Sequence, residues 1–106
     1  MFGASRPPYT EWTWHDLGVH VGGPNFVRLP SGQWITAGRF FHDRKPYTEL
    51  ASLDVEKNTV EPILRLPSGG DTSYPGLVWH DNLLWMSYYS SHEGKTNVYL
   101  AKVRVE

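Results

Sequence analysis

The residues best suited to chemistry gather on two short stretches and a few isolated positions. One stretch is Ser68-Gly69-Gly70-Asp71-Thr72-Ser73-Tyr74-Pro75, where an acid stands on the same Gly-rich loop as a tyrosine. The other is Ser90-Ser91-His92-Glu93-Gly94-Lys95, which pairs an imidazole with a carboxylate in a hairpin loop. His20, Arg28 and Arg39 stand apart from both. A phenol with a pKa of about 10 is a weak nucleophile at neutral pH unless a base stands beside it. A guanidinium grips a carboxylate through two parallel bonds, which an imidazole cannot do. Arg39 stands near a loop and is favoured over Arg28, which reads as a solvated strand residue. Each position also has a plainer role: Tyr74 packing beneath a turn, Asp71 capping it, His92 and Glu93 as polar turn residues.

Much chemistry is excluded. The chain has no Cys, and its five His show neither His-x-His nor His-Glu-x-x-His spacing, so no metal site is expected. Without a Gly-x-Gly-x-x-Gly or phosphate-loop motif, no nucleotide or other cofactor is expected. A net charge of −1 supplies no basic field for nucleic acid or anionic lipid, although a local Arg can still bind a small anion. No apolar run approaches transmembrane length and the first eight residues lack the apolar core of a signal peptide, so the expectation is a soluble chain with no membrane partner. The compartment is unknown from the sequence.

The elements that must position these residues read as β throughout. Apolar residues never recur at helical spacing without a Pro or Gly between them. The chain also repeats: Pro24-Asn25-Phe26-Val27 matches Pro75-Gly76-Leu77-Val78 at an offset of about 51, and Leu50-Ala51 matches Leu100-Ala101 at about 50. Turn residues at Pro30-Ser31-Gly32, Asp81-Asn82 and His92-Glu93-Gly94-Lys95 cut each copy into short strands. Strands are predicted over 13–19, 25–29, 34–41, 48–54, 60–66, 76–80, 83–90 and 97–105. The fold class expected is all-β, about two blades of antiparallel four-stranded sheets from an incomplete β-propeller. Residues 1–20 read as the outer strand of a preceding blade, 21–67 as one blade and 68–106 as a second, three-stranded one. Two blades alone leave lateral faces open, which predicts missing blades, self-association through those faces, or collapse into a small sandwich. By the repeat, His20 occupies the position that Asp71 holds in the later copy.

These residues also carry a family resemblance. Pro7-Pro8-Tyr9-Thr10, Trp12-Thr13-Trp14, Gly22-Gly23-Pro24-Asn25-Phe26, Leu29-Pro30-Ser31-Gly32, Ala37-Gly38-Arg39 and above all the stretches from Ser68 to Asp81 and from Tyr88 to Thr96 make the chain similar to the C-terminal part of bacterial sialidase-like proteins. The resemblance covers nearly the whole chain and implies a six-bladed propeller of the neuraminidase superfamily, of which this would be roughly the last third. It implies a retaining exo-glycosidase of terminal acidic sugars, with a Tyr nucleophile activated by Glu, an Asp acid, and an Arg cluster on the substrate carboxylate. The family's late-blade Tyr falls on Tyr74, and Asp71, His20, Arg39, His92 and Glu93 are the candidate substrate-binding residues, with a sialoside or related glycan as partner. The family shows Arg in the step Gly-Val-Arg-x-Gly-Gly-Pro, where this chain has His20, which predicts a weaker carboxylate grip. Ser52 to Val60 stands where an Asp-box belongs but lacks its Gly and Trp. A non-catalytic carbohydrate-binding or interaction propeller, and a self-assembling blade pair without ligand, are the alternatives.

Overall fold

A computed structural model describes residues 1–105. Among them there is no helix: nine strands form antiparallel sheets, as the pattern of short apolar runs and turns requires. Strands β1 (Phe2–Ser5) and β2 (Trp12–His15) pair with each other. Strands β3 (Gly22–Arg28), β4 (Trp34–His42), β5 (Lys45–Asp54) and β6 (Thr59–Arg65) make a four-stranded meander, and β7 (Ser73–His80), β8 (Leu83–Ser90) and β9 (Asn97–Val103) a three-stranded one.

The turns follow from their residues. Asp81 and Asn82, with φ of 52° and 58°, form the two-residue link of β7 to β8, and Asp43 and Arg44 do the same between β4 and β5. Between β5 and β6, Asp54 Oδ1 accepts from the amides of Glu56 and Lys57 at 3.0 and 2.9 Å. The Lys57 bond above all holds the Asp54 carboxyl below its usual range.

The two meanders are copies in register. Phe26 faces Thr36 as Leu77 faces Met86, Ile35 faces Ser52 as Trp85 faces Lys102, and Gly22 faces Arg39 as Ser73 faces Tyr89. Even the irregularity recurs, between Gly22 and Asn25 in one sheet and between Ser73 and Gly76 in the other. The meanders pack face to face: Ile35, Ala37 and Leu50 of the first meet Leu84, Met86 and Tyr88 of the second in one buried cluster, with Leu29 and Leu66 at its margins. The sheets come nearest at their first strands, where β7 lies beside β3. There Asn25 Nδ2 donates to Pro75 O at 3.0 Å and Ser73 Oγ to Gly22 O at 2.9 Å.

Residues 1–20 differ from the single strand expected over 13–19. Strand β2 stops at His15 because Asp16 Oδ1 takes the Gly18 amide at 2.8 Å and Gly18 turns the chain with φ of 74°. The earlier residues Phe2–Ser5 close back on β2, so this segment forms a hairpin of its own.

Candidate functional site

Alternation along a strand decides which side chains meet at each end of the sheets. The starts of β3 and β7 and the ends of β4 and β8 share one end, so the loops before Gly22 and before Ser73 lie on a common rim. Tyr74 stands there with 69% of its surface exposed. Its backbone is left-handed, φ 50°, a conformation a bulky residue rarely adopts and that costs on the order of 1–3 kcal/mol. Its counterpart in the first sheet is Gly23, φ 53°, which takes the same turn freely.

Around Tyr74 further side chains converge. Its ring stacks on Tyr89 with centroids 6.0 Å apart, and the Tyr89 hydroxyl donates to Asp71 Oδ1 at 2.7 Å. That bond, with lesser contributions from burial and the Asp71 charge, pushes the Tyr89 phenol above its ordinary pKa. Asp71 is fixed in turn through its carbonyl, which accepts from Ser91 Oγ at 3.1 Å. Beneath them Thr72 Oγ1 donates to Tyr89 O at 2.8 Å and shares a 2.6 Å bond with the fully buried Thr48, tying this loop to the first sheet.

Arg39 approaches from the first sheet. Its guanidinium lies over Gly22, so close that a Cβ there would sit 2.9 Å from Nη2, and 5.9 Å from the Phe41 ring. Its Nε is buried without a hydrogen-bond partner, a donor left free in a site where donors are normally satisfied. The Arg39 charge also acts on Tyr89, favouring its ionised form. His20 joins through Phe41, ring to ring at 6.1 Å. Arg28 lies at the far end of β3, over Trp34.

His92 and Glu93 share this end but turn toward β9. His92 Nδ1 sits 2.8 Å from Ser90 Oγ and its ring 4.8 Å from that of Tyr99, whose hydroxyl donates to Glu93. The structure therefore gathers Tyr74, Asp71 and Arg39, links His20 to Arg39 only through the Phe41 ring, and sets His92 and Glu93 to the side. Among the described residues no group of three or more His, Cys, Asp or Glu could hold a metal ion.

Sequence reasoning missed Tyr89, although the repeat contained the signal: Tyr89 is the counterpart of Arg39, the same rim position at the end of the second strand. A second charged cluster, on the opposite face of the first sheet, also escaped it. There Glu49, almost fully buried, lies 2.6 Å from His42 Nε2 and 3.1 Å from Arg65 Nε, and Arg65 stacks over Tyr47. No family model, curated protein or solved structure matches this chain.

Proposed function

We propose that the two meanders are neighbouring blades of a sialidase-like β-propeller that cleaves a terminal acidic sugar, with Tyr74 as nucleophile and Arg39 as a carboxylate ligand. The observation that carries this reading is the left-handed backbone of an exposed Tyr74, at a bulge where the matched residue of the other sheet is Gly23. Strain of this kind persists where a side chain is needed at that spot. The Arg39 guanidinium stands over Gly22 at the same rim and is a group suited to a sugar carboxylate. The propeller reading itself rests on the chain path, in which the last strand of one meander leads to β7 lying beside β3, the first strand of the meander before it.

In this mechanism the Tyr74 oxygen bonds to the anomeric carbon as the glycosidic C–O bond breaks and the leaving oxygen takes a proton; water then releases the sugar. Asp71 Oδ1 is occupied by Tyr89, so the reading assigns it to positioning and places the base for Tyr74 and the acid for the leaving group on other blades. The 106 residues alone should not turn over substrate. In the longest natural chain that carries these residues, Tyr74→Phe should reduce release from a fluorogenic sialoside by roughly a hundredfold or more with KM little changed. Undiminished turnover removes Tyr74 from this role. A second reading, a propeller that binds such sugars without cleaving them, is favoured by His20, whose ring lies against Phe41 where the family has Arg. It predicts sialic-acid-dependent shifts of the Arg39 side-chain resonances with no hydrolysis at any concentration of protein.

A further inference from the structure

The first sheet carries its second group of charges on the face turned away from β7–β9. His42 faces Lys45 across the β4–β5 turn and Glu49 faces Arg65 across β5 and β6, so alternation puts His42, Lys45, Tyr47, Glu49 and Arg65 on one side. Glu49 is 2% exposed, and a carboxylate that deep needs charged partners. Arg65 donates from Nε to Glu49 Oε1 at 3.1 Å, while its guanidinium lies 4.0 Å from the centre of the Tyr47 ring. His42 Nε2, itself buried, comes within 2.6 Å of the same oxygen. The β1–β2 hairpin lies over the other half of this face, against Trp34, Thr36 and Leu53, and leaves 41% of the His42 side chain and 47% of that of Arg65 exposed.

These contacts use up Glu49 but not its partners. Arg65 is clamped at Nε and by its stack, and among the described residues its two terminal nitrogens make no hydrogen bond, so they stand as a preformed fork. Lys45 is exposed on the same face and Arg44 precedes it in the turn; the acids on these strand ends are the buried Glu49 and, in the turn, Asp43. The fold does not ask for the carboxylate. At the matched positions of the second sheet His92 and Lys95 recur, but Tyr99 replaces Glu49 and packs against His92 with centroids 4.8 Å apart, and no fourth strand supplies an Arg.

We infer that this cluster binds a tetrahedral oxyanion, phosphate or sulfate, free or as a sugar ester, with Arg65 as the two-pronged ligand, Lys45 as a point charge and His42 as a further donor in its protonated form. The Arg65 fork alone would satisfy a planar carboxylate, whereas cationic groups from three strands suit an anion with oxygens on several sides. Glu49 holds the guanidinium in place and so reduces the ordering cost of binding, but it also cancels one positive charge, which keeps the affinity modest. The site lies on the side of the sheet away from Arg39 and holds whether or not Tyr74 is a nucleophile. Flanking blades leave it open: β2 leads into β3 as β6 leads into β7, so β1 and β2 are the outer pair of any preceding blade and already stand over this face.

Titration of the 106-residue chain followed by NMR at the Arg65 Nε–Hε group and the His42 ring tests this, with sodium phosphate, sodium sulfate, glucose 6-phosphate and, as control, sodium chloride. Ionic strength is held constant at a pH of about 6.5, where an ordinary imidazole is half protonated. Phosphate or sulfate should shift both groups with a Kd on the order of 1 mM, and chloride should not. Arg65→Lys keeps an ion pair for Glu49 but loses the fork, and should weaken binding about tenfold, read at His42. Lys45→Gln, at an exposed position, should weaken it about threefold, and Arg28→Gln at the far end of β3 should leave it unchanged, with circular dichroism verifying each fold. Tighter binding of glucose 6-phosphate than of inorganic phosphate assigns the site to an ester; otherwise the free anion is its ligand. Resonances unmoved by every oxyanion, a chloride effect as large as that of phosphate, binding undiminished in both Arg65→Lys and Lys45→Gln, or Arg28→Gln weakening it as much as Arg65→Lys would each overturn the inference.

Discussion

At matched places in the two sheets, Gly22-Gly23-Pro24 and Ser73-Tyr74-Pro75 make the same bulge from different residues. Both central residues are left-handed, yet one is the residue that tolerates the turn and the other is among those that tolerate it least. The fold needs the bulge in both sheets, and Gly23 shows how it is built without strain. Tyr74 therefore contributes something other than chain reversal, and the Tyr89–Asp71 pair beside it has no equivalent next to Gly23. A similar divergence runs across the faces: Leu50 and Leu100 occupy one repeat position, one buried and the other in water.

The largest expected effect tests that second contrast. Leu50→Ala removes a fully buried side chain from the core between the sheets and should cost about 2–5 kcal/mol in denaturant unfolding. Leu100→Ala at the matched, exposed position should shift stability by less than about 0.5 kcal/mol. Equal costs would mean that the outward face of the second sheet is covered within the monomer.

The bulges come next. Gly23→Ala introduces a Cβ 2.5 Å from Ser73 Oγ and a left-handed alanine, and should destabilise by about 1–2 kcal/mol. Tyr74→Gly relieves the strained backbone and loses the stack on Tyr89 and the ring's contact with Gly23, so stability should change by less than about 1 kcal/mol while the proposed chemistry disappears. A large loss of stability from Tyr74→Gly would make Tyr74 a structural residue and undo the comparison.

The fold was legible where the sequence carries period and punctuation. Pro24 and Pro75, and Leu50 and Leu100, set the two meanders in register before any coordinate, because a strand repeat must preserve its alternation to keep one face apolar. Asp81-Asn82 marked its hairpin by residue type. The β1–β2 hairpin was not legible, since Phe2–Ser5 is too short and mixed to show alternation and its pairing depends on a loop of Pro and Tyr. The site was legible in part. The repeat aligned His20 with Asp71 and placed both at one rim, but the direction in which a loop side chain turns is set by its neighbours, which is why Glu93 is drawn to Tyr99 and why Tyr89 went unnoticed.

The smallest expected effect is the most specific to the rim. Tyr89 donates to Asp71, and this bond chiefly raises its pKa in the folded chain above the value of about 10 it has when unfolded. A raised folded pKa means that the stabilisation is fully present below pH about 10 and is lost as the pH climbs through the folded value. Asp71→Asn should therefore bring the Tyr89 ionisation down toward that of a free phenol, followed by the chemical shift of its ring Cζ during alkaline titration. Arg39→Gln should move it the other way, because the guanidinium favours the phenolate. Tyr74→Phe should lower it least, since Tyr74 is the weakest of the influences that raise it. If the Asp71 variant leaves Tyr89 where it was, the bond joining the two is absent in solution. Tyr74 would then stand beside an unanchored ring, and the difference between the two bulges would narrow to backbone strain alone.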